Sequence, residues 1–135
     1  MTTPLVLDTS VVIKWFLDEP GAEAARRIEA GCRDGTWRPV VPDLCYAECG
    51  NVIWKRVARG DVRPEDGAAI LDAVAVLPLH VVPTRTVLPL AYALALEHGR
   101  AVYDMVFLAV ADVFGAELVT ADQWLGRVPG VRVVE

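Results

Sequence analysis

Four acidic residues carry the chemical interest of this 135-residue chain. Asp8 ends the apolar run Leu5-Val6-Leu7, and Asp122 follows Glu117-Leu118-Val119-Thr120. Asp104 opens the apolar stretch Tyr103 to Phe114, and Glu48 lies among Tyr46, Ala47, Cys49, Val52 and Ile53. Carboxylates brought together repel one another, and without a cation some take up protons. Hard oxygen donors of this kind suit Mg2+ or Mn2+, which bind through a few carboxylates and keep several waters. Zinc fits poorly. Cys45 and Cys49 are four residues apart, but His80 and His98 are distant in sequence, so the thiols read as small buried hydrophobes. Each Asp has a second reading, because aspartate is also a favoured helix cap. Glu48 does not, being too deep in its segment to cap anything. Asn51, the only asparagine, shares its helical face.

The surrounding pattern says what must position these acids. Short apolar runs at Leu5–Leu7, Val40–Val41, Leu79–Val82, Glu117–Thr120 and Val131–Val134 read as strands. Between them fall helical segments at Val11–Leu17, Ala22–Ala30, Leu44–Arg59, Pro64 to about Pro78, Thr86–His98 and Tyr103–Phe114. Gly31, Gly35 and Pro39 mark a turn region, and Asp43 reads as the N-cap of the third helix. Alternation of this kind indicates an α/β domain with a parallel sheet. In such a sheet the C-terminal ends of strands and the N-terminal ends of helices share one edge, where ligands bind. All four acids are expected at that edge.

Composition bounds the rest. The length fits a single domain, residues 1–135, and 54% apolar residues supply a core. The net charge of −5 argues against holding nucleic acid by bulk charge, although a bound cation inverts the field locally. The longest run free of charged residues, Ala73–Thr84, contains Pro78 and Pro83, so no membrane span is expected. Three cysteines and a start without a basic leader point to reduced thiols in a cytoplasm.

Taken in order, Leu7-Asp8-Thr9-Ser10 followed by Val12-Ile13-Lys14-Trp15-Phe16, then Tyr46-Ala47-Glu48 with Asn51-Val52, Val102-Tyr103-Asp104 with Leu108-Ala109, and Leu118-Val119-Thr120-Ala121-Asp122 resemble the PIN-domain ribonucleases. Within these, the VapC toxins of bacterial toxin–antitoxin modules are most similar. The resemblance covers nearly the whole chain. Met105 replaces a commonly small residue and Cys49 follows the second acid; neither change removes a ligand.

The resemblance implies a three-layer α/β/α fold with strand order 3-2-1-4-5. It also implies Mg2+- or Mn2+-dependent cleavage of RNA phosphodiesters, an antitoxin encoded alongside, and a homodimer. Asp8 and Asp104 would be the main metal ligands. Glu48 would hold or deprotonate a water, and Asp122 would complete the cluster or carry a second ion. Ser10, Asn51 and Thr120 would fix the carboxylates by hydrogen bonds. Lys14, Lys55, Arg56, Arg59 and Arg100 are candidates for phosphate contacts, and Trp15, Trp54 and Trp124 for stacking. Two other readings compete. One is another Mg2+-dependent α/β phosphohydrolase, although a haloacid-dehalogenase-type phosphatase needs a second acid where Ser10 stands. The other is a non-catalytic interaction module whose acids are only caps.

Overall fold

The computed structural model describes residues 2–135. Five strands, β1 (Thr3–Leu7), β2 (Trp37–Pro42), β3 (His80–Val82), β4 (Glu117–Thr120) and β5 (Val131–Val133), form one sheet in the order β3-β2-β1-β4-β5. Every pairing is parallel. Helices α1 (Thr9–Val12), α2 (Ala22–Arg33), α3 (Leu44–Ala58), α4 (Pro64–Ala75), α5 (Leu88–His98) and α6 (Val102–Phe114) cover both faces. This is the expected α/β architecture and strand order. Among the described residues, no helix is long and apolar enough to cross a membrane.

The core explains why the strands read as continuous apolar runs: a parallel sheet covered on both faces buries both sides of each strand. Leu5, Val6, Leu7, Val40, Val41, Leu118 and Val119 are fully enclosed. α6 is buried from Met105 through Ala111 without a break, as its all-round apolar sequence requires. Gly99 closes α5 in the left-handed conformation, at φ 65°, which a Cβ would disfavour. The chain thereby turns sharply and delivers Arg100 and the start of α6 to the sheet edge where β1 and β4 end.

Three local expectations are corrected. The helix expected over Val11–Leu17 is one short α-turn running into a 3-10 turn at Ile13–Trp15; three consecutive β-branched residues are poor helix formers. Pro39 lies inside β2, opposite Leu5, rather than in a turn. The turn is made earlier by Asp34, whose Oδ1 accepts from the amide and hydroxyl of Thr36. Asp43 precedes α3 but makes no side-chain cap. Its carboxylate accepts instead from the amide and hydroxyl of Thr84, 41 residues away.

Candidate active site

β1 and β4 are neighbours, with Leu5, Val6 and Leu7 in register with Glu117, Leu118 and Val119. The Asp8 amide extends that ladder by donating to the Val119 carbonyl at 2.9 Å. Asp8 and Thr120 therefore emerge side by side. The Thr120 hydroxyl donates to Asp8 Oδ2 at 2.8 Å, and the Ser10 hydroxyl donates to the same oxygen at 2.7 Å. Both hydroxyls are themselves fixed. Ser10 Oγ accepts from the Ala121 amide and Thr120 Oγ1 from the Asp122 amide, each at 3.0 Å. The two hydroxyl bonds fall on one oxygen, so neither occupies Oδ1 of Asp8; the Thr9 amide adds a third, backbone bond to the carboxylate. Asp8 makes no side-chain cap to α1.

Asp8 shares an open hollow of about 600 Å³ with Thr9, Ser10, Glu48, Asn51, Lys55, Tyr103 and Asp104. Glu48, Asn51 and Lys55 reach it from α3, where spacings of three and four place them on one face. Asp104 reaches it from the first turn of α6. Glu48 is held by a partner the sequence did not single out: buried Thr9 donates its hydroxyl to Glu48 Oε1 at 2.7 Å. Position alone hinted at this role, since Thr9 follows Asp8 directly and the helix start turns its side chain toward α3.

The electrostatics follow from burial. Enclosure pushes the Asp8 carboxyl above its ordinary range; the hydrogen bonds from Ser10 and Thr120 oppose this, and the Asp104 charge adds to it. Glu48 is raised in the same way, by burial first, with Thr9 opposing and the charges of Asp8 and Asp104 reinforcing. Nearby Cys49 is also pushed up, by its contact with Cys45 and by burial, which leaves it a protonated thiol. All three cysteines are free.

Asp122 is placed differently. It does not line the hollow. Its Oδ1 accepts from the Trp124 amide at 2.9 Å, and its Oδ2 accepts from Arg100 Nη2 at 2.8 Å. The same guanidinium nitrogen lies 3.5 Å from Asp104 Oδ2. Arg100 thus stands between two of the four acids expected to meet. Its guanidinium lies 4.3 Å over the Trp124 ring, a cation–π arrangement.

The remaining candidates separate clearly. Lys55 is at the hollow. Lys14 is not, being paired with Glu19 at 2.8 Å; Arg56 is bound to the same glutamate. Arg59 pairs with Asp61 at 3.3 Å. Trp15 donates its ring N–H to the Ala25 carbonyl and belongs to the fold, whereas Trp54 on α3 is 64% exposed.

The donor set of the hollow fits a hard divalent cation. Its three acids supply only oxygen, and burial with mutual repulsion leaves Asp8 and Glu48 short of positive charge. Among the described residues, no three Asp, Glu, His or Cys side chains are close enough to form a ready ligand cage. Few direct contacts with water completing the shell is how Mg2+ is usually held, whereas a structural zinc site would need a closed set.

A parallel sheet in this order, with acids gathered where β1 and β4 end, defines a class, and comparison with known proteins agrees. The PIN-domain pattern matches residues 5–131, and the chain belongs to the PIN-domain family. It is 32% identical to Ribonuclease VapC3 of Pyrobaculum aerophilum over 125 residues, covering 91% of this chain and 92% of that one. It is 30% identical to Ribonuclease VapC1 of Mycobacterium tuberculosis over 90 residues, 67% of each chain. Among solved structures, a Pyrobaculum aerophilum protein superposes with a TM-score of 0.71 at 22% identity, covering 97% of this chain and 84% of that one. VapBC2 from Rickettsia felis, bound to a DNA fragment from its promoter, superposes with a TM-score of 0.65 at 14% identity over 97% of both chains.

Proposed function

We propose that this chain is a Mg2+- or Mn2+-dependent endoribonuclease and the toxin of a toxin–antitoxin pair. The observation that carries the proposal is the convergence of Asp8, Glu48 and Asp104, from three distant segments, on one hollow in a chain so similar to Ribonuclease VapC3.

Asp8 and Asp104 would hold the ion, with Glu48 beside them. A divalent ion bound there lowers the pKa of a water and neutralises charge on the phosphate oxygens. Ser10 and Thr120 fix Asp8 through one oxygen, and neither occupies the other. Glu48, oriented by Thr9 and made more basic than an ordinary glutamate by burial, is suited to accept a proton from the attacking water. Lys55 at the hollow would attract the RNA backbone, and Asn51 lines the same face. Asp122 acts at one remove, by holding Arg100.

The antitoxin would dock over α1 and α3, which flank the hollow. Exposed Trp54 on α3 offers it an apolar anchor. A homodimer is part of the same reading, because α5 leaves Leu88, Tyr92 and Leu96 exposed at four-residue spacing. Free thiols agree with a cytoplasmic setting.

The test is cleavage of total RNA by the purified protein, together with growth of cells expressing it. Cleavage is expected with Mg2+ or Mn2+, to stop with a chelator and to return with Mn2+. Growth arrest is expected on expression and is relieved by co-expression of the adjacent small gene. Undiminished cleavage in chelator, or no cleavage with either metal, overturns the proposal.

A further inference from the structure

Arg100 bears on a question that the acids alone leave open, namely how many ions the site takes. The inference rests on the reading that the hollow binds a divalent ion. Arg100 approaches two carboxylates at once, 2.8 Å from Asp122 Oδ2 and 3.5 Å from Asp104 Oδ2. It is held in place from three directions. Gly99 turns the chain immediately before it. Trp124 lies beneath its guanidinium at 4.3 Å, and that ring is met edge-on by His98 at 5.9 Å. Asp122, its main partner, is fixed by the Trp124 amide at its other oxygen. Arg100 and Asp122 are only 25% and 35% exposed, so this is not a loose surface pair.

The two ends of the acid row therefore differ in what they offer a cation. Asp8 has both hydroxyl donors on one oxygen, and every donor it meets is neutral. Asp122 has both oxygens engaged, one by a backbone amide and one by a guanidinium. Guanidinium stays charged at any working pH and is more weakly hydrated than an ammonium. A divalent ion seeking the space between Asp104 and Asp122 would have to displace it, shed water and meet its charge at close range.

We propose that Arg100 fills, as a built-in cation, the place between Asp104 and Asp122 that a second divalent ion would bridge, so that the site binds one ion and Asp122 serves Arg100 rather than the metal. Arg100 is a positioning residue in this account, and its removal changes metal stoichiometry as well as rate.

The experiment is Mn2+ titration of the full-length protein, followed by electron paramagnetic resonance of free Mn2+. Wild type is expected to bind one Mn2+ per chain. Arg100→Gln is expected to bind two. Arg100→Lys, which keeps the charge, stays at one, and Arg100→Gln combined with Asp122→Asn returns to one. Two ions in wild type, or one in Arg100→Gln, overturns the inference. Folded wild type that binds no Mn2+ overturns the metal reading itself, and this inference with it. Asp122→Asn gives an independent answer should Arg100→Gln fail to fold. Its affinity for the first ion is expected within about threefold of wild type, whereas a loss of about tenfold or more, near 1.4 kcal/mol, would mark Asp122 as a ligand and overturn the inference.

Discussion

Asp8 and Asp122 stand at the ends of adjacent strands, yet their surroundings are opposite in kind. Asp8 is half-buried and receives only neutral donors, the hydroxyls of Ser10 and Thr120 and the Thr9 amide. Asp122 is partly exposed and receives a guanidinium. Hydroxyls orient a carboxylate without cancelling its charge; a guanidinium does both. Position in a motif therefore identifies an acid, while its partners determine whether it is available to a cation.

The largest effect that can break this contrast is on catalysis. Asp8→Asn or Asp104→Asn should lower RNA cleavage by at least about 100-fold, the scale on which a single preorganised electrostatic group acts. Asp122→Asn should cost clearly less. Equal losses in a fluorogenic RNA assay would erase the distinction between the two ends of the row.

A smaller effect sharpens it. Thr120→Val and Ser10→Ala each remove one hydroxyl from Asp8 Oδ2 while leaving the carboxylate in place. Partners of this kind are typically worth about 10- to 100-fold in metal affinity or activity. Mn2+ affinity should fall by that order in each variant, and unchanged affinity in both would show that the hydroxyls only support the fold.

The smallest effect is on stability. Asp8 and Glu48 have folded-state pKa values raised above their ordinary ones, 3.8 and 4.5. The folded state then binds protons more tightly than the unfolded state in the window above those values, so stability rises as pH falls through it. In chelator, the melting temperature should increase modestly as pH falls toward the ordinary carboxylate range. Saturating Mn2+ should reverse the slope, because protons then compete with the ion, and Asp8→Asn should flatten it. A slope in chelator that is the same in Asp8→Asn and wild type would remove burial of that carboxyl as its cause.

Legibility of the sequence divides along the same line between local and distant. The boundaries of β4 and the general course of α3, α4 and α6 follow from local periodicity, caps and glycines. The strand order came with the family resemblance. The site was readable as acid types at strand ends and helix starts, because topology alone carries those positions to one edge. Thr120, which the resemblance gave as a support for a carboxylate, does meet Asp8, across 112 residues. What escaped was Thr9, which meets Glu48 across 39. Arg100 read as one phosphate contact among several basic residues, and only its pose over Trp124 between two carboxylates gives it a distinct place. Asp43 failed as a cap for the same reason, since Thr84 claims it from the far end of β3.

The pairing of β1 with β4 has a temporal consequence. Residues near the start of the chain complete their acidic pocket only through a hydroxyl made more than a hundred residues later. A nascent polypeptide still short of Thr120, or a fragment clipped before it, carries Asp8 but lacks the strand whose hydroxyl aligns it. Assembly of the pocket thereby waits for the synthesis of β4, a delay that parallel sheets impose because their contacts join distant stretches.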